Sequence, residues 1–286
     1  MRWKSGRRST NVDDRRGRRR GGGKMGGSLG MIVIVLVGSY FFGINPATLF
    51  QAEKVISQML PPSSKVDKNW KPTEKQQQLA DFTTVVLAST EDTWRKVFSA
   101  SGKRYVDPTL VMYTDAVNSG CGSASSQMGP FYCGAGQKIY IDLSFYDDLK
   151  NKYGAGGDFA QAYVIAHEVG HHIQKIIGVS DQVGKAKRGR SKAEVNALSV
   201  RVELQADCFS GIWGYHNQDI LDPGDIEEAL TAASAIGDDR LQREARGRVM
   251  PESFTHGTSE QRVRWFKTGF QSGKMSDCDT FNAARL

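Results

Sequence analysis

Apolar and polar positions divide the chain into a polar start, one continuous apolar run and a long mixed remainder. Residues 1–27 contain almost no apolar side chains, a composition typical of disorder. The run LGMIVIVLVGSYFFGI occupies residues 29–44, and no charged residue lies between Gly26 and Ala52. This stretch is long enough for a helix that crosses a membrane. We therefore predict four regions: a disordered tail at 1–27, a transmembrane anchor at 28–48, a Pro-containing linker at 49–72 and a folded domain at 73–286.

Apolar residues within 73–286 recur mainly at helical spacing, and several helices carry a capping signal at the start. The predicted helices run from the Thr73/Gln76 capping box to about Ser99, from Asp158 to Gly178, from the Ser191/Glu194 capping box to about Asn217, and over 223–246 and 259–272. Residues 105–145 predict strands and turns, of which KIYID at 138–142 is the clearest strand. Residues 179–190 read as a basic loop. The predicted fold class is therefore α+β, mainly helical with a small β-sheet.

The positive charge of the chain is concentrated in the tail. Residues 1–25 carry ten of the 38 Lys and Arg residues but only two of the 31 Asp and Glu residues, so the remainder is close to neutral. A neutral domain argues against nucleic-acid binding. The positive flank of the apolar run favours a single-pass anchor in the cell membrane with the N-terminus in the cytoplasm and the domain on the extracytoplasmic, periplasmic side. A cleaved signal peptide and a buried core helix are the alternatives for this run.

The segment HEVGH predicts a metal site. His167 and His171 are four residues apart on a predicted helix, so both imidazoles face one point. Imidazole nitrogens are good zinc ligands, and Glu168 is placed to take a proton from a zinc-bound water. The chain has only five histidines, so a chance pair at metal spacing around a glutamate is a weak alternative. His172 points about 100° away from His171 and is predicted to support the site or to lie at the surface.

A catalytic zinc needs a third protein ligand, and the predicted helix over 191–217 offers one. Glu203 and Asp207 are four residues apart and lie among apolar residues, which argues against a solvated acidic face. We predict that Glu203 completes the ligand set. Asp207 is predicted to accept a hydrogen bond from the second ring nitrogen of His167 and thereby to orient it. Asp238 and Asp239 form a weaker pair, interpreted as surface or loop structure.

Four cysteines, an even number, suit disulfides in an oxidising compartment. Cys121 and Cys133 bracket a Gly- and Ser-rich segment before KIYID, and we predict a bridge between them. Cys208 and Cys278 remain as a pair by elimination. For Cys208 the alternative is a small buried apolar residue on the helix of Glu203.

The chain also resembles the bacterial neutral zinc metallopeptidase family (YpfJ-like), with a gluzincin-type HExxH and ExxxD site. The resemblance runs from the apolar run to the C-terminus and is densest in these stretches: SGCGSASSQMGPFYC, QKIYIDLSF, AHEVGHHIQ, RVELQADCFSG, AASAIGDDRLQ and FTHGTSEQRVRWF. It implies a zincin-like domain, a zinc cofactor and a protein or peptide substrate. It also implies that KIYID is an edge strand with which an extended substrate pairs.

His256 is the remaining candidate for catalysis. It lies in FTHGTSEQRV, directly before a capped helix, and this stretch is similar to the Thr-His-Pro…Arg segment of membrane-embedded gluzincins, with Gly257 in place of Pro. We predict that His256 donates a hydrogen bond to the oxyanion that forms during amide hydrolysis. The alternative is an uncommitted residue flanking a helix. Arg262 is a candidate to anchor this segment to a carboxylate such as Asp207.

The sequence thus predicts a membrane-anchored zinc metallopeptidase that works by Glu-assisted attack of water on a peptide bond. Two other functions remain open. One is a zinc amide hydrolase that acts on cell-wall peptides, and the other is a non-catalytic envelope scaffold stabilised by zinc. Glu168 argues against the scaffold, because a structural zinc needs no base.

Overall fold

The computed structural model describes residues 1–19, 65–66 and 69–286. The chain forms two compact units, one made of residues 1–16 and 72–286 and the other of residues 17–71. In the second unit, β2 (Arg18–Arg19) pairs antiparallel with β3 (Lys65–Val66). The anchor predicted at 28–48 lies outside the described residues, as does most of the linker. No helix in the described part of the chain is long and apolar enough to cross a membrane.

The first unit contains a four-stranded sheet in the order β1–β4–β8–β7, with bounds β1 Val12–Asp14, β4 Thr109–Tyr113, β7 Phe131–Cys133 and β8 Lys138–Asp142. Strands β1, β4 and β8 are parallel, and β7 is antiparallel to β8. The two central strands, TLVMY and KIYID, are nearly all buried, as expected for strands covered on both faces. A separate hairpin joins β5 (Ala116–Ser119) to β6 (Gly122–Ser125).

Eight α-helices occur among the described residues: α1 Glu74–Ala100, α2 Phe145–Asn151, α3 Asp158–Ile176, α4 Val179–Ala186, α5 Lys192–Tyr215, α6 Asp225–Ala235, α7 Asp238–Arg246 and α8 Ser259–Ser272. Capping boxes start α1, α5 and α8 through Thr73, Ser191 and Thr258. The main hydrophobic core joins the sheet to α1, α3 and α5, with the large side chains Trp94, Phe159, Phe209 and Trp213 buried inside it. The mainly helical α+β class agrees with the sequence prediction.

Helices α3 and α5 pack at unusually short range beside the two histidines of HEVGH. A Cβ atom added at Gly170 would lie 2.9 Å from the Cα atom of Ala206, closer than real Cβ contacts allow. Only glycine therefore permits this approach, which brings His167 and His171 opposite the carboxylates of α5.

The prediction of a disordered tail is wrong for residues 1–16. Strand β1 lies in the sheet, where Val12 is opposite Leu110 of β4. Arg7, Ser9 and Asn11 donate hydrogen bonds of 2.7, 2.5 and 2.8 Å to the fully buried carboxylate of Glu91 on α1. The composition of the tail was misleading because its polar side chains have specific partners in the fold. Residues 1–16 therefore belong to the same compact unit as residues 72–286.

Three predicted elements also need correction. Residues 179–190 are not wholly a loop, since α4 forms over Val179–Ala186, and the helix expected over 223–246 is divided into α6 and α7 around Gly237. KIYID is a strand, but it is not at the edge, because β4 and β7 cover its two sides. The edge strand on this side is β7.

Candidate active site

Helix α3 carries His167, Glu168 and His171, and their side chains line a cleft of about 870 Å³. The two imidazole centroids are 4.8 Å apart, as the spacing of four residues on one helical face requires. Glu203 lines the same cleft from α5. The structure therefore brings together all three residues that the sequence predicts as metal ligands.

The three ligand side chains have the geometry of a zinc site. Nε2 of His167 lies 3.2 Å from Oε2 of Glu203, and Nε2 of His171 lies 3.5 Å from Oε1. One donor atom of each residue lies within 4.8 Å of the other two. A tetrahedral zinc ion with nitrogen and oxygen ligands at about 2.0–2.2 Å separates neighbouring donors by about 3.3–3.6 Å. Two histidines and one carboxylate, with a cleft on the open side, fit a catalytic zinc.

Asp207 holds His167 as the sequence predicts. Its Oδ1 lies 2.8 Å from Nδ1 of His167, which assigns the proton to Nδ1 and leaves Nε2 directed toward Glu203. Asp207 is fully buried and also accepts two hydrogen bonds of 2.9 Å from Arg262 and one of 2.5 Å from the Tyr163 hydroxyl. Arg262 thus anchors α8 to Asp207, the carboxylate that orients His167, and the sequence analysis proposed this role for Arg262.

Gln174 supports the second histidine, and the sequence predictions missed it. Its Oε1 lies 3.0 Å from Nδ1 of His171, and its Nε2 donates to the Val202 carbonyl at 2.7 Å and to Gln205 Oε1 at 3.1 Å. The Gln205 amide in turn donates to the Cys278 carbonyl at 3.0 Å. The spacing of three residues from His171 on one helix was the signal that could have identified Gln174.

The electrostatics of the site favour a cation. Burial opposes ionisation of Glu203, but His171 and His167 outweigh it and hold the pKa of Glu203 well below its usual value. Burial likewise disfavours charge on His167, yet Asp207 and Glu203 raise its pKa to about 10. Burial raises the pKa of Asp207, and Arg262 and His167 more than reverse that effect. The buried carboxylate of Asp207 and the partly buried carboxylate of Glu203, both anionic, therefore act on the ring nitrogens at the ligand site.

His256 lines the same cleft and is held by Asp238, whose role the sequence interpretation missed. Oδ2 of Asp238 accepts hydrogen bonds from the backbone amides of Thr255, His256 and Gly257, at 2.6, 2.6 and 3.3 Å. Its Oδ1 lies 3.3 Å from Nδ1 of His256. Asp238 is therefore no surface residue: it fixes the loop that presents His256. The side chain of His256 is half exposed, on the open side of the cleft.

His172 lies away from the ligand site, as its helical position predicts, but it is fully buried rather than at the surface. Burial lowers its pKa, so the neutral form is favoured. Its ring contacts Tyr132 of β7 and the carbonyl of Val106.

Two disulfides flank the site. Cys121–Cys133 closes the loop that contains Ser126–Met128, part of the cleft wall, and Cys208–Cys278 ties α5 to the C-terminal segment. Cys208 follows Asp207 directly. Both pairings agree with the sequence interpretation, including the pair that was left by elimination.

Comparison with known proteins assigns a family. A model of the family described as "Putative neutral zinc metallopeptidase" matches residues 1–281. YpfJ of Escherichia coli strain K12 is 50% identical over 293 aligned positions, which cover 98% of this chain and 99% of YpfJ. Rv2575 of Mycobacterium tuberculosis strain H37Rv is 43% identical over 195 positions, or 64% of this chain and 65% of Rv2575. No solved structure matches the chain.

The family match extends over the two ligand helices, the cleft and the N-terminal strand. The donor set of His167, His171 and Glu203 also suits zinc, the metal of that family. The chain therefore belongs to the neutral zinc metallopeptidase family, and its cofactor is zinc.

Proposed function

We propose that the protein is a zinc-dependent peptidase that hydrolyses peptide bonds of a protein or peptide substrate in the cleft between β7, α3 and α5. One observation carries the proposal: His167, His171 and Glu203 converge at the cleft, and Glu168 lines it between the two histidines. A structural metal site has four protein ligands and no need of an adjacent base, whereas this site has three ligands and an open side.

Glu168 is the proposed general base. Its side chain is mostly buried but lines the cleft beside both histidines, so it can accept the proton of the attacking water and deliver it to the departing amine. Zinc, when bound by His167, His171 and Glu203, supplies the Lewis acid that polarises the substrate carbonyl and acidifies water. Asp207 and Gln174 keep the ring nitrogens of the two histidines directed at the site.

His256 is the proposed donor to the oxyanion. It reaches the cleft from the loop before α8, and Asp238 holds the loop and contacts the ring. A donor held in place before the reaction stabilises the charge that develops on the carbonyl oxygen without reorganising during the step.

The substrate is proposed to bind as an extended strand along β7. Residues of this strand line the cleft, and its outer edge has no neighbouring strand among the described residues. Main-chain pairing along such an edge aligns a peptide whatever its side chains are. Selection among peptide sequences then depends on the side chains that line the cleft. β7 takes the role that the resemblance gave to KIYID.

We also propose that the folded unit works outside the cytoplasm. Its two disulfides support this location, because such bridges persist in oxidising compartments. The apolar segment at 28–48 is proposed to attach the protein to the membrane.

To test this function, the zinc-loaded protein and its Glu168→Gln variant are incubated with a protein-derived peptide library. Mass spectrometry then identifies the cleaved peptides. We expect new peptide termini only with the wild type, and equal zinc content in both proteins. Glu227→Gln, an exposed change on α6, is the matched control and should cleave like the wild type. Equal cleavage by Glu168→Gln, or full zinc content in His167→Ala/His171→Ala, would overturn the site. Cleavage confined to cell-wall peptides would favour the amide hydrolase, and no cleavage of either class would favour the scaffold.

A further inference from the structure

His172 is a buried histidine that the proposed reaction does not use. Its Nε2 lies 2.7 Å from the Val106 carbonyl oxygen. A carbonyl only accepts, so Nε2 carries the ring proton and Nδ1 is left as an acceptor. The Tyr132 hydroxyl, 3.1 Å from Nδ1, therefore donates its proton to His172. Both ring nitrogens are occupied, and the tautomer is fixed by these two partners.

Tyr132 is the middle residue of the edge strand β7. Side chains alternate across a strand, and its neighbour Phe131 stacks on Tyr140 of β8, with centroids 4.8 Å apart, in a separate apolar cluster. Tyr132 projects to the other face, where its ring lies 5.5 Å from that of His172. The Tyr105 ring also packs edge-on against His172, with ring centroids 5.7 Å apart.

The sequence places this contact one residue after a metal ligand. Consecutive residues on a helix differ by about 100°, so His171 points to the ligand site while His172 points to β7. One turn of α3 thereby sets two positions at once: that of a ligand nitrogen and that of the strand that lines the cleft. Any shift of β7 along or away from α3 must break the hydrogen bond between Tyr132 and His172.

We propose that His172 and Tyr132 form a clamp that fixes the register of β7 relative to the metal helix. They are positioning residues, which hold the strand along which a peptide is proposed to pair. This inference rests on the proposed peptidase function for its kinetic consequences. The clamp itself is a property of the free protein and can be measured without any substrate.

Three substitutions separate the two hydrogen bonds. Tyr132→Phe removes only the hydroxyl. His172→Gln places an amide near the Nε2 position and keeps a donor for Val106 but loses the acceptor for Tyr132. His172→Asn places an amide oxygen near the Nδ1 position and keeps that acceptor. Tyr215→Phe, at the partly exposed end of α5, is the matched control for loss of a tyrosine hydroxyl.

Hydrogen exchange of the zinc-loaded protein gives the first readout. Tyr132→Phe and His172→Gln should speed exchange of the amides of residues 131–133 about tenfold, the factor that loss of one buried hydrogen bond gives. His172→Asn should restore most of the protection, and Tyr215→Phe should match the wild type. Zinc content should be unchanged in all four variants. Unchanged exchange at 131–133 in Tyr132→Phe, or loss of zinc in that variant, would overturn the clamp.

Peptide kinetics give the second readout. KM for an extended peptide should rise about tenfold in Tyr132→Phe and His172→Gln with kcat nearly unchanged, because the register of binding is disturbed and the reacting groups are not. A fall in kcat with constant KM would contradict positioning and place Tyr132 in the chemistry. Faster exchange at 131–133 in a protein that cleaves no peptide would support the clamp and refute the peptidase function, so the two failures are distinguishable.

Discussion

Asp238 holds His256 through its backbone and its ring at once, with the two carboxylate oxygens 2.6 Å from the His256 amide nitrogen and 3.3 Å from Nδ1. A single carboxylate thus holds the loop and also contacts the imidazole, whose Nδ1 lies 3.0 Å from the Thr255 hydroxyl as well. The ring stays half exposed while its support is mostly buried. This arrangement suits a donor that must meet a substrate in an open cleft.

The first prediction concerns the rate effect of this pair. His256→Ala should lower kcat about 10²–10³-fold on a cleaved peptide, the size expected for loss of an oxyanion donor, with a small change in KM and zinc content retained. Asp238→Asn should lower kcat less, because the donor stays but is less well oriented. Steady-state kinetics with metal analysis measure both effects. A wild-type kcat in His256→Ala would remove His256 from the mechanism.

The same pair predicts a pH-dependent stability. The hydrogen bond to Asp238 raises the pKa of His256, so the folded protein binds this proton more tightly than the unfolded chain does. The stabilisation that protonated His256 adds to the folded state is therefore complete below the unfolded pKa of about 6.5. It is lost as pH rises through the higher pKa of the folded state. His256→Gln should lower the free energy of unfolding more at pH 6 than at pH 9 in urea titrations. His216→Gln, an exposed histidine outside the cleft, is the control, and an equal effect of His256→Gln at both pH values would contradict the pairing.

Asp207 is predicted to matter for stability and for zinc together. Asp207→Ala leaves the buried guanidinium of Arg262 without its carboxylate, which should cost about 3–5 kcal/mol of folding free energy. Zinc affinity should also fall about 10- to 100-fold, since His167 loses its orienting partner. Adding Arg262→Met should recover part of the stability and none of the affinity. Urea unfolding and zinc titration test this, and recovery of both quantities together would show that Asp207 acts only through the fold.

Gln174 is predicted to support His171 in the same way. Gln174→Ala should weaken zinc binding about 10- to 100-fold, because Nδ1 of His171 loses the acceptor that fixes its tautomer. Gln174→Glu keeps an oxygen at that position and should retain most of the affinity. Gln182→Ala on the exposed face of α4 is the control. Wild-type zinc affinity in Gln174→Ala would show that packing alone orients His171.

The two disulfides should differ in their effect on stability. Cys208–Cys278 spans 70 residues and Cys121–Cys133 spans 12. The loop-entropy relation gives about 4 kcal/mol for the longer loop and about 3 kcal/mol for the shorter. Cys208→Ala/Cys278→Ala should therefore destabilise the protein more than Cys121→Ala/Cys133→Ala does in urea titrations. A larger loss from Cys121→Ala/Cys133→Ala would mean that the cleft-wall loop contributes through contacts beyond the bridge.

The sequence by itself determined the elements whose signals are local. Capping boxes at Thr73 and Ser191 predicted two helix starts, because the hydrogen bonds that make a cap lie within four residues. For α8 the sequence offered Thr258 or Ser259 as the cap, and the structure has Thr258. The geometry of one helix was enough to place His167 and His171 side by side, and the same argument placed Glu203 and Asp207 on one face of another. The apolar surroundings of Glu203 and Asp207 predicted that this face is buried and therefore meets a partner.

Only the tertiary structure decided what depends on residues far apart in the chain. Arg7, Ser9 and Asn11 of the N-terminal segment are ordered because Glu91, about 80 positions later, accepts their hydrogen bonds, and composition cannot show such a partner. β7 rather than KIYID is the edge strand, since strand order is set by packing and not by the hydrophobicity of one strand. The sequence suggested that Asp238 is a surface or loop residue, whereas in the fold its carboxylate accepts hydrogen bonds from the loop of His256. Side-chain type and local spacing thus predicted the chemistry, while long-range contacts decided how each group is held.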